Sequence, residues 1–287
     1  MMELLEVKGL TKRYKGFLLD DISFSLPKGY IMGYVGQNGA GKTTTINCIN
    51  QICHANSGTI YLNGRMYKED PIQYKEEIGF IGDESYFPKE MRISDIRSIQ
   101  KTFYRSFQEA EFDQLIARFK LPEKKKISEF SRGMKVKLMF AAALSRDTKL
   151  LILDEATNGL DPVIRSEVLQ ILQDYISDGE RSILFSTHML EDLEQIADYI
   201  VFIDQGKIII SETKDDLLES YILIKGDYKE LTTELRSRLI GLEKKEFGFE
   251  ALIKSDEARN VPKGFVINKP SIDKIMVHLI RNSLEGV

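Results

Sequence analysis

The segment Ile31-Met-Gly-Tyr-Val35, followed at once by Gly36-Gln37-Asn38-Gly39-Ala40-Gly41-Lys42-Thr43-Thr44, constrains this chain more than any other feature. A short apolar run, a loop with three glycines and then helix-compatible residues describe a buried strand that turns sharply into a helix whose N-terminus faces the turn. In that turn the glycines let backbone N–H groups approach an anion. Lys42 reaches phosphate oxygens, and Thr43 offers a hydroxyl to a divalent cation. A chance glycine turn accounts for neither the Gly-x4-Gly-Lys-Thr spacing nor the strand before it.

Two more apolar runs, Leu150–Leu153 and Ser182–Phe185, also end in residues that carry chemistry: Asp154-Glu155 and Ser186-Thr187-His188. Buried parallel strands with functional groups at their carboxyl ends have this form, so the core is expected to be α/β. Read alone, Asp154 and Glu155 also suit the polar end of a strand capping the next turn. Behind a phosphate loop they suit a Mg²⁺ carboxylate (Asp154) and a general base that polarises water (Glu155). A lone histidine is ordinarily a satisfied core residue. After Ser-Thr at a strand end, His188 is instead expected to donate to a terminal phosphate. The combined expectation is cleavage of a phosphoanhydride, with ATP and Mg²⁺ as the bound species.

Around this core, Glu6–Leu10, Phe17–Leu26 and Gly58–Gly64 read as strands separated by turns, which predicts an antiparallel sheet beside the nucleotide site. From about residue 84 to 146, helical periodicity takes over, as in Ile96, Ile99, Phe103 and Phe112, Leu115, Ile116, Phe119; this predicts an inserted helical subdomain. The nucleotide motifs end after a strand at Ile208–Ile210. The expected division is a domain over 1–212 and a small α+β accessory domain over 213–287. In the latter, strands are predicted at Tyr221–Ile224, Phe247–Ile253 and Phe265–Ile267, an amphipathic helix at Tyr228–Ile240 and a final helix at Ser271–Arg281.

Composition excludes several classes. With 287 residues and 43% hydrophobic content the chain can bury a large core. A formal net charge of -4 leaves no general basic field for nucleic acid, and Lys124-Lys125-Lys126 reads as a solvated face. Cys48 and Cys53 lack the further donors of a zinc site and read as reduced structural thiols; His54 and His278 have no ligand cluster near them in sequence. The N-terminus lacks a signal-peptide pattern, and no uncharged stretch approaches the ~20 residues that span a bilayer. The expectation is a cytoplasmic chain, with any membrane crossed by another polypeptide.

The order of the phosphate loop, Ser131-Arg132-Gly133-Met134, Leu150–Glu155, Gly159-Leu-Asp161 and Ser186–His188 resembles the nucleotide-binding subunit of ATP-binding-cassette (ABC) transporters over residues 1 to about 212. The resemblance implies a P-loop ATPase core of ABC type and a head-to-tail, ATP-dependent dimer. ATP would lie between the phosphate loop of one copy and Ser131 and Gly133 of the other. It further implies that Tyr14 stacks on adenine, that Asp161 links the two sites across the interface and that His188 is the switch histidine. Its partners would be an integral-membrane permease and a second cassette, identical or related, holding the subunit on the inner face of the membrane. Lys269–Ile275 and the apolar helix after it resemble the tail of ABC-2-type exporter ATPases, whose relatives move peptides, antimicrobials or drugs.

Two positions depart from the family pattern. The usual Leu-Ser-Gly-Gly-Gln is here Phe130-Ser131-Arg132-Gly133-Met134, and the metal-facing glutamine is Asp83. Rival readings are weaker. Thr213-Lys-Asp-Asp216 formally fits a guanine-reading motif, but no Asp-x-x-Gly occurs, and Thr213 with Asp216 reads as a helix-capping pair. A soluble cassette ATPase acting on ribosomes or DNA would ordinarily carry tandem cassettes or a long heptad insertion, neither of which is present.

Overall fold

The computed structural model describes residues 2–262 and 264–285, which divide into two compact units, Met1–Ser211 and Glu212–Val287. In the first unit a six-stranded sheet runs in the order Lys207–Thr213, Tyr199–Asp204, Ile31–Val35, Ser182–Ser186, Leu150–Asp154, Ile78–Ile81. The strand before the phosphate loop pairs in parallel with Tyr199–Asp204 and Ser182–Ser186; the latter pairs in parallel with Leu150–Asp154. All five residues of Ile31–Val35, Leu150–Asp154 and Ser182–Ser186 are buried, which is why these strands read as unbroken apolar runs rather than alternating ones. Because they are adjacent and parallel, their carboxyl ends share one edge of the sheet.

Beside it lies an antiparallel sheet of Phe17–Pro27, Glu3–Tyr14, Ser57–Leu62 and Arg65–Met66. The two sheets share one core: Leu5, Leu10, Ile22 and Leu62 from the antiparallel sheet cluster with Tyr34, Ile46, Ile152 and Leu184. In the helical region, Ile93–Phe103, Glu109–Arg118 and Arg132–Leu144 pack on one another, with Ile96, Phe112, Ile116 and Phe119 buried. Phe103 departs from the periodicity and stands 73% exposed at its helix end.

The second unit is a four-stranded antiparallel sheet in the order Ile240–Lys245, Gly248–Lys254, Tyr221–Gly226, Val266–Asn268, with the helix Ile272–Glu285 against the first two strands. The helix expected over Tyr228–Ile240 does not form. A 3-10 turn, Tyr228–Glu230, and a four-residue helix, Thr233–Arg236, stand there instead, and Ile240 opens a strand absent from the sequence reading. The cause is local: Asp227 accepts from Lys229 N at 2.9 Å and Thr232 accepts from Leu235 N at 3.2 Å, so side chains capture the N–H groups that a longer helix would use. The strand Ile240–Lys245 was hidden by Gly241 and three consecutive charged residues. Thr213 caps the helix Lys214–Ser220, accepting from Asp216 N at 3.1 Å and donating to Asp216 Oδ2 at 2.6 Å, so the formal guanine motif is a cap.

Sheet and helix of this unit are joined by a polar cluster. Glu250, 4% exposed, receives Lys225 Nζ at 2.8 Å and Lys274 Nζ at 2.6 Å. His278, fully buried, places Nδ1 2.6 Å from the Gly241 carbonyl and Nε2 3.5 Å from Glu250. Glu243 is paired with Arg281 at 3.1 Å and with Lys245 at 2.7 Å. Glu243, Glu250 and His278 have the residue types of a metal group, but these cations already balance the carboxylates. Burial pushes the Glu250 carboxyl up; the ammonium groups of Lys225 and Lys274 outweigh it and hold the acid at about 2. A depressed folded pKa stabilises the fold above the unfolded value of about 4.3, and that contribution is lost as pH falls toward about 2. Amide protection in Gly248–Lys254 is therefore expected to fall between about pH 4 and pH 2, and Glu250→Gln to flatten that fall while lowering protection at pH 7. Hydrogen exchange across this pH range checks both.

Candidate nucleotide site

The shared edge of the central sheet assembles the site. Asp154 lies opposite Ser186, and Ser186 opposite Tyr34, so the phosphate loop, the carboxylate pair and the Ser-Thr-His segment leave the sheet side by side. The loop's course depends on its glycines. A Cβ on Gly36 would sit 2.3 Å from the Ile203 carbonyl oxygen, and Gly41, at φ +119°, has a backbone that a side chain would strain. Gly41 caps the helix Lys42–Ile49 with no side-chain hydrogen bond, which leaves its first N–H groups for an anion.

A cavity of about 530 Å³ opens over this helix, lined by Phe17, Gln37, Asn38, Gly39, Gly41, Lys42, Thr43, Thr44, Asp83, Glu155, Asn158 and His188. Gly36 and Ala40 are not among its described lining residues; a Cβ on Gly36 would lie 3.1 Å from that of Ala40, which is buried in the core. Lys42 is 5% exposed, and its ammonium donates to the Gly36 carbonyl at 2.8 Å and the Gln37 carbonyl at 3.3 Å and lies 3.4 Å from Glu155 Oε1. Glu155 Oε2 accepts from Asn158 Nδ2 at 2.6 Å and lies 2.8 Å from His188 Nδ1. Burial pushes the Glu155 carboxyl up, but the Asn158 amide, the Lys42 charge and His188 outweigh it, so its pKa ends below the ordinary carboxylate range and the group is a carboxylate. Its backbone is left-handed, φ +56°, a conformation costing on the order of 1–3 kcal/mol in a residue with a side chain.

Asp154 behaves oppositely. Burial raises its pKa, only partly offset by the Thr43 hydroxyl, and its Oδ1 is buried without a hydrogen-bond partner. An acceptor-only oxygen in that condition, beside the Thr43 hydroxyl, suits a hard divalent cation. Asp83 also lines the cavity, while one of its oxygens accepts from Glu84 N at 2.8 Å.

Other expected site residues stand elsewhere. Tyr14 does not line the cavity; Phe17, its cross-strand partner, does, while the Tyr14 ring lies under Lys12 with the ammonium 5.1 Å from its centroid. Ser131 caps the helix Arg132–Leu144, accepting from Met134 N at 3.3 Å, and Gly133 packs so closely that a Cβ would lie 2.5 Å from Ile164 Cδ1. Ser131, Arg132, Gly133, Met134 and Asp161 are not among the described residues lining this cavity. Asp161 caps the helix Pro162–Ile176, accepting from Val163 N and Ile164 N, both at 3.1 Å. Sequence reasoning missed Phe17, Asn158 and the buried Asp192, which receives Thr157 Oγ1 at 3.0 Å and pairs with Arg165. For Asn158 a signal existed: three residues after Glu155, it stands one turn further along the chain.

Residues 19–158 match the ABC transporter family model. The ABC transporter ATP-binding protein YtrB of Bacillus subtilis is 34% identical over 223 residues, which cover 77% of this chain and 76% of YtrB. The chain belongs to the ABC transporter ATP-binding proteins. Also similar is the lantibiotic transport ATP-binding protein SrtF of Streptococcus pyogenes, 33% identical over 77% of this chain and 99% of SrtF. A solved structure described as the ATP-binding subunit of an ABC transporter superposes with a TM-score of 0.69 at 30% identity, over 75% of this chain and 91% of that one. As a member of this family the chain is an ATPase whose α/β core binds nucleotide, and it works as the ATP-hydrolysing component of a membrane transporter. Among the described residues no helix is long and apolar enough to cross a membrane.

The Gly36 contact gives a direct check on this ABC ATPase. Because the opposing atom is a backbone oxygen that cannot rotate away, Gly36→Ala is expected to destabilise the fold by about 1–3 kcal/mol and to abolish ATP binding. Thermal unfolding with and without an ATP analogue reads both; an unchanged melting temperature and a preserved ligand-induced rise would contradict the geometry.

Proposed function

We propose that this ABC ATPase drives export through an integral-membrane permease by closing, around ATP, against a second copy of itself or a related cassette. The supporting observation is the charge arrangement over the helix Lys42–Ile49: a buried ammonium shared between two loop carbonyls and Glu155, beneath free helix N–H groups. An incoming triphosphate replaces those carbonyls and Glu155 as partners of Lys42, its β- and γ-oxygens lying on the N–H groups of residues 39–44. Glu155, released from Lys42 and still held by Asn158, accepts the proton of the attacking water. His188, more than half exposed at the cavity rim, turns its imidazole toward the γ-phosphate.

Thr43 and Asp154 would hold Mg²⁺, with Asp83 reaching it directly or through water, and the orphaned Asp154 oxygen supports this set. Held by these residues, Mg²⁺ would supply positive charge to offset that of the phosphates. The signature residues Ser131 to Met134 and Asp161 serve the neighbouring copy's nucleotide, a reading supported by their placement away from this chain's own cavity. Tyr14 is the residue we assign to the base, with Phe17 beside it. None of the residues assigned to this chemistry lies in the accessory domain over 213–287. SrtF is named for lantibiotic transport, and a peptide antimicrobial is accordingly the cargo class we propose, with the subunit held at the cytoplasmic face by its permease.

The role of Glu155 is tested by Glu155→Gln. It is expected to retain ATP binding while hydrolysis falls by about 10²–10⁴-fold, the span of a lost general base. Calorimetry and phosphate release read the two effects; hydrolysis within threefold of wild type would overturn the assignment.

A further inference from the structure

The only two cysteines of the chain meet behind the phosphate-loop helix. Cys48 lies in the last turn of Lys42–Ile49, buried, and Cys53 is half-buried in the segment after it; their sulfurs are 3.4 Å apart. The turn between them is held in place. Gln51, at φ +52°, donates its N–H to the Cys48 carbonyl at 3.1 Å and its side-chain amide to the same oxygen at 3.0 Å. Ile52 N and Cys53 N both donate to the Asn47 carbonyl, at 2.9 and 3.3 Å. A disulfide needs about 2.05 Å between sulfurs, so closure requires little more than a side-chain rotation of the already partly exposed Cys53.

The two thiols differ in reactivity. Burial, first, and then the adjoining Cys53 push the Cys48 thiol up to about 12, so it remains protonated. Cys53 is the accessible member. It also lies against the Tyr14 hydroxyl, whose acidity the Cys53 contact and burial both weaken. The neighbouring Lys12 ammonium, which lies over the Tyr14 ring and donates to the His54 carbonyl at 2.7 Å, ties the same turn to the strand Glu3–Tyr14.

We propose that Cys48 and Cys53 form a reversible oxidation site, in which a hydroperoxide converts the thiol pair to an intrachain disulfide and thereby weakens nucleotide binding. The Cys53 sulfur attacks one oxygen of the hydroperoxide, the O–O bond breaks, and the other oxygen leaves with the thiol proton, as water from hydrogen peroxide or as an alcohol from an organic hydroperoxide, to give a sulfenic acid. Cys48 sulfur then attacks the Cys53 sulfur, its proton going to the departing hydroxyl as a second water. Two electrons pass from the sulfurs to the peroxide, and a dithiol reductant reverses the change. The effect on nucleotide rests on the assignment of Tyr14 to the base. Drawing Cys53 toward Cys48 takes the thiol from the Tyr14 hydroxyl and fixes the end of the helix whose other end carries the phosphate loop.

The test treats the folded full-length chain with hydrogen peroxide and measures intact mass, a non-reducing peptide map and affinity for a nonhydrolysable ATP analogue. Wild type is expected to become about 2 Da lighter, with peptides carrying Cys48 and Cys53 linked, and to recover with dithiothreitol. Cys48→Ser is expected to gain only oxygen at Cys53, and the Cys53→Ser chain to stay unmodified. The Kd is expected to rise at least threefold on oxidation in wild type and in neither variant. Persistent free thiols, or over-oxidised Cys53 in wild type without a link, would overturn the site. A formed disulfide with unchanged Kd would overturn its effect on nucleotide while leaving the ATPase assignment, read from the reduced protein, untouched.

Discussion

Parallel pairing of Ile31–Val35, Ser182–Ser186 and Leu150–Asp154 is the constraint on which the site depends. Strands joined by long crossovers have no reason of local sequence to end together; the register does it, placing Tyr34, Ser186 and Asp154 in one row across the sheet. A shift of one residue in either pairing would turn Asp154 or the start of the Ser-Thr-His segment to the wrong side. Full burial of the three strands makes that register costly to change, since each carries apolar side chains on both faces.

On this frame the nucleotide site holds opposed charges in contact. Lys42, nearly buried, is compensated by loop carbonyls and by Glu155; Glu155 is kept ionised against its own burial by Asn158, Lys42 and His188. Burial raises the pKa of Asp154, whose Oδ1 is left without a hydrogen-bond partner. The two adjacent carboxylates are thus driven apart in acidity by environment, and the roles proposed for them are general base for Glu155 and metal ligand for Asp154. Both properties follow from where the strand ends: Asp154 is its last residue, and the left-handed backbone of Glu155 swings the next side chain toward Lys42.

Much of this was legible in the sequence because the constraints are local or periodic. The phosphate loop carries its own geometry in Gly36 and Gly41, and unbroken apolar runs announce strands buried on both faces. What stayed hidden was set by tertiary contacts. Phe17 lines the cavity because it pairs across the strands with Tyr14, a relation that depends on the hairpin. Asn158 reads as an ordinary turn residue until it is seen between Glu155 and His188. In the C-terminal unit, periodicity over Tyr228–Ile240 suggested a helix because the amphipathic pattern ignores Asp227 and Thr232, whose side chains end helices as readily as they decorate them. His278 gave no signal in sequence, since Glu250 lies 28 residues away on another element.

The proposal that most needs testing is that one chain holds two half-sites, completed by a second copy or a related cassette. Mixing two inactive variants tests it most directly: Lys42→Ala, which keeps the signature segment, and a chain in which Ser131 is replaced by Arg, which keeps the phosphate loop. The account predicts that neither hydrolyses ATP alone and that the mixture does, because a mixed pair restores one complete site. A mixture as inactive as its components, under conditions where mixed dimers are demonstrated by mass, would contradict it.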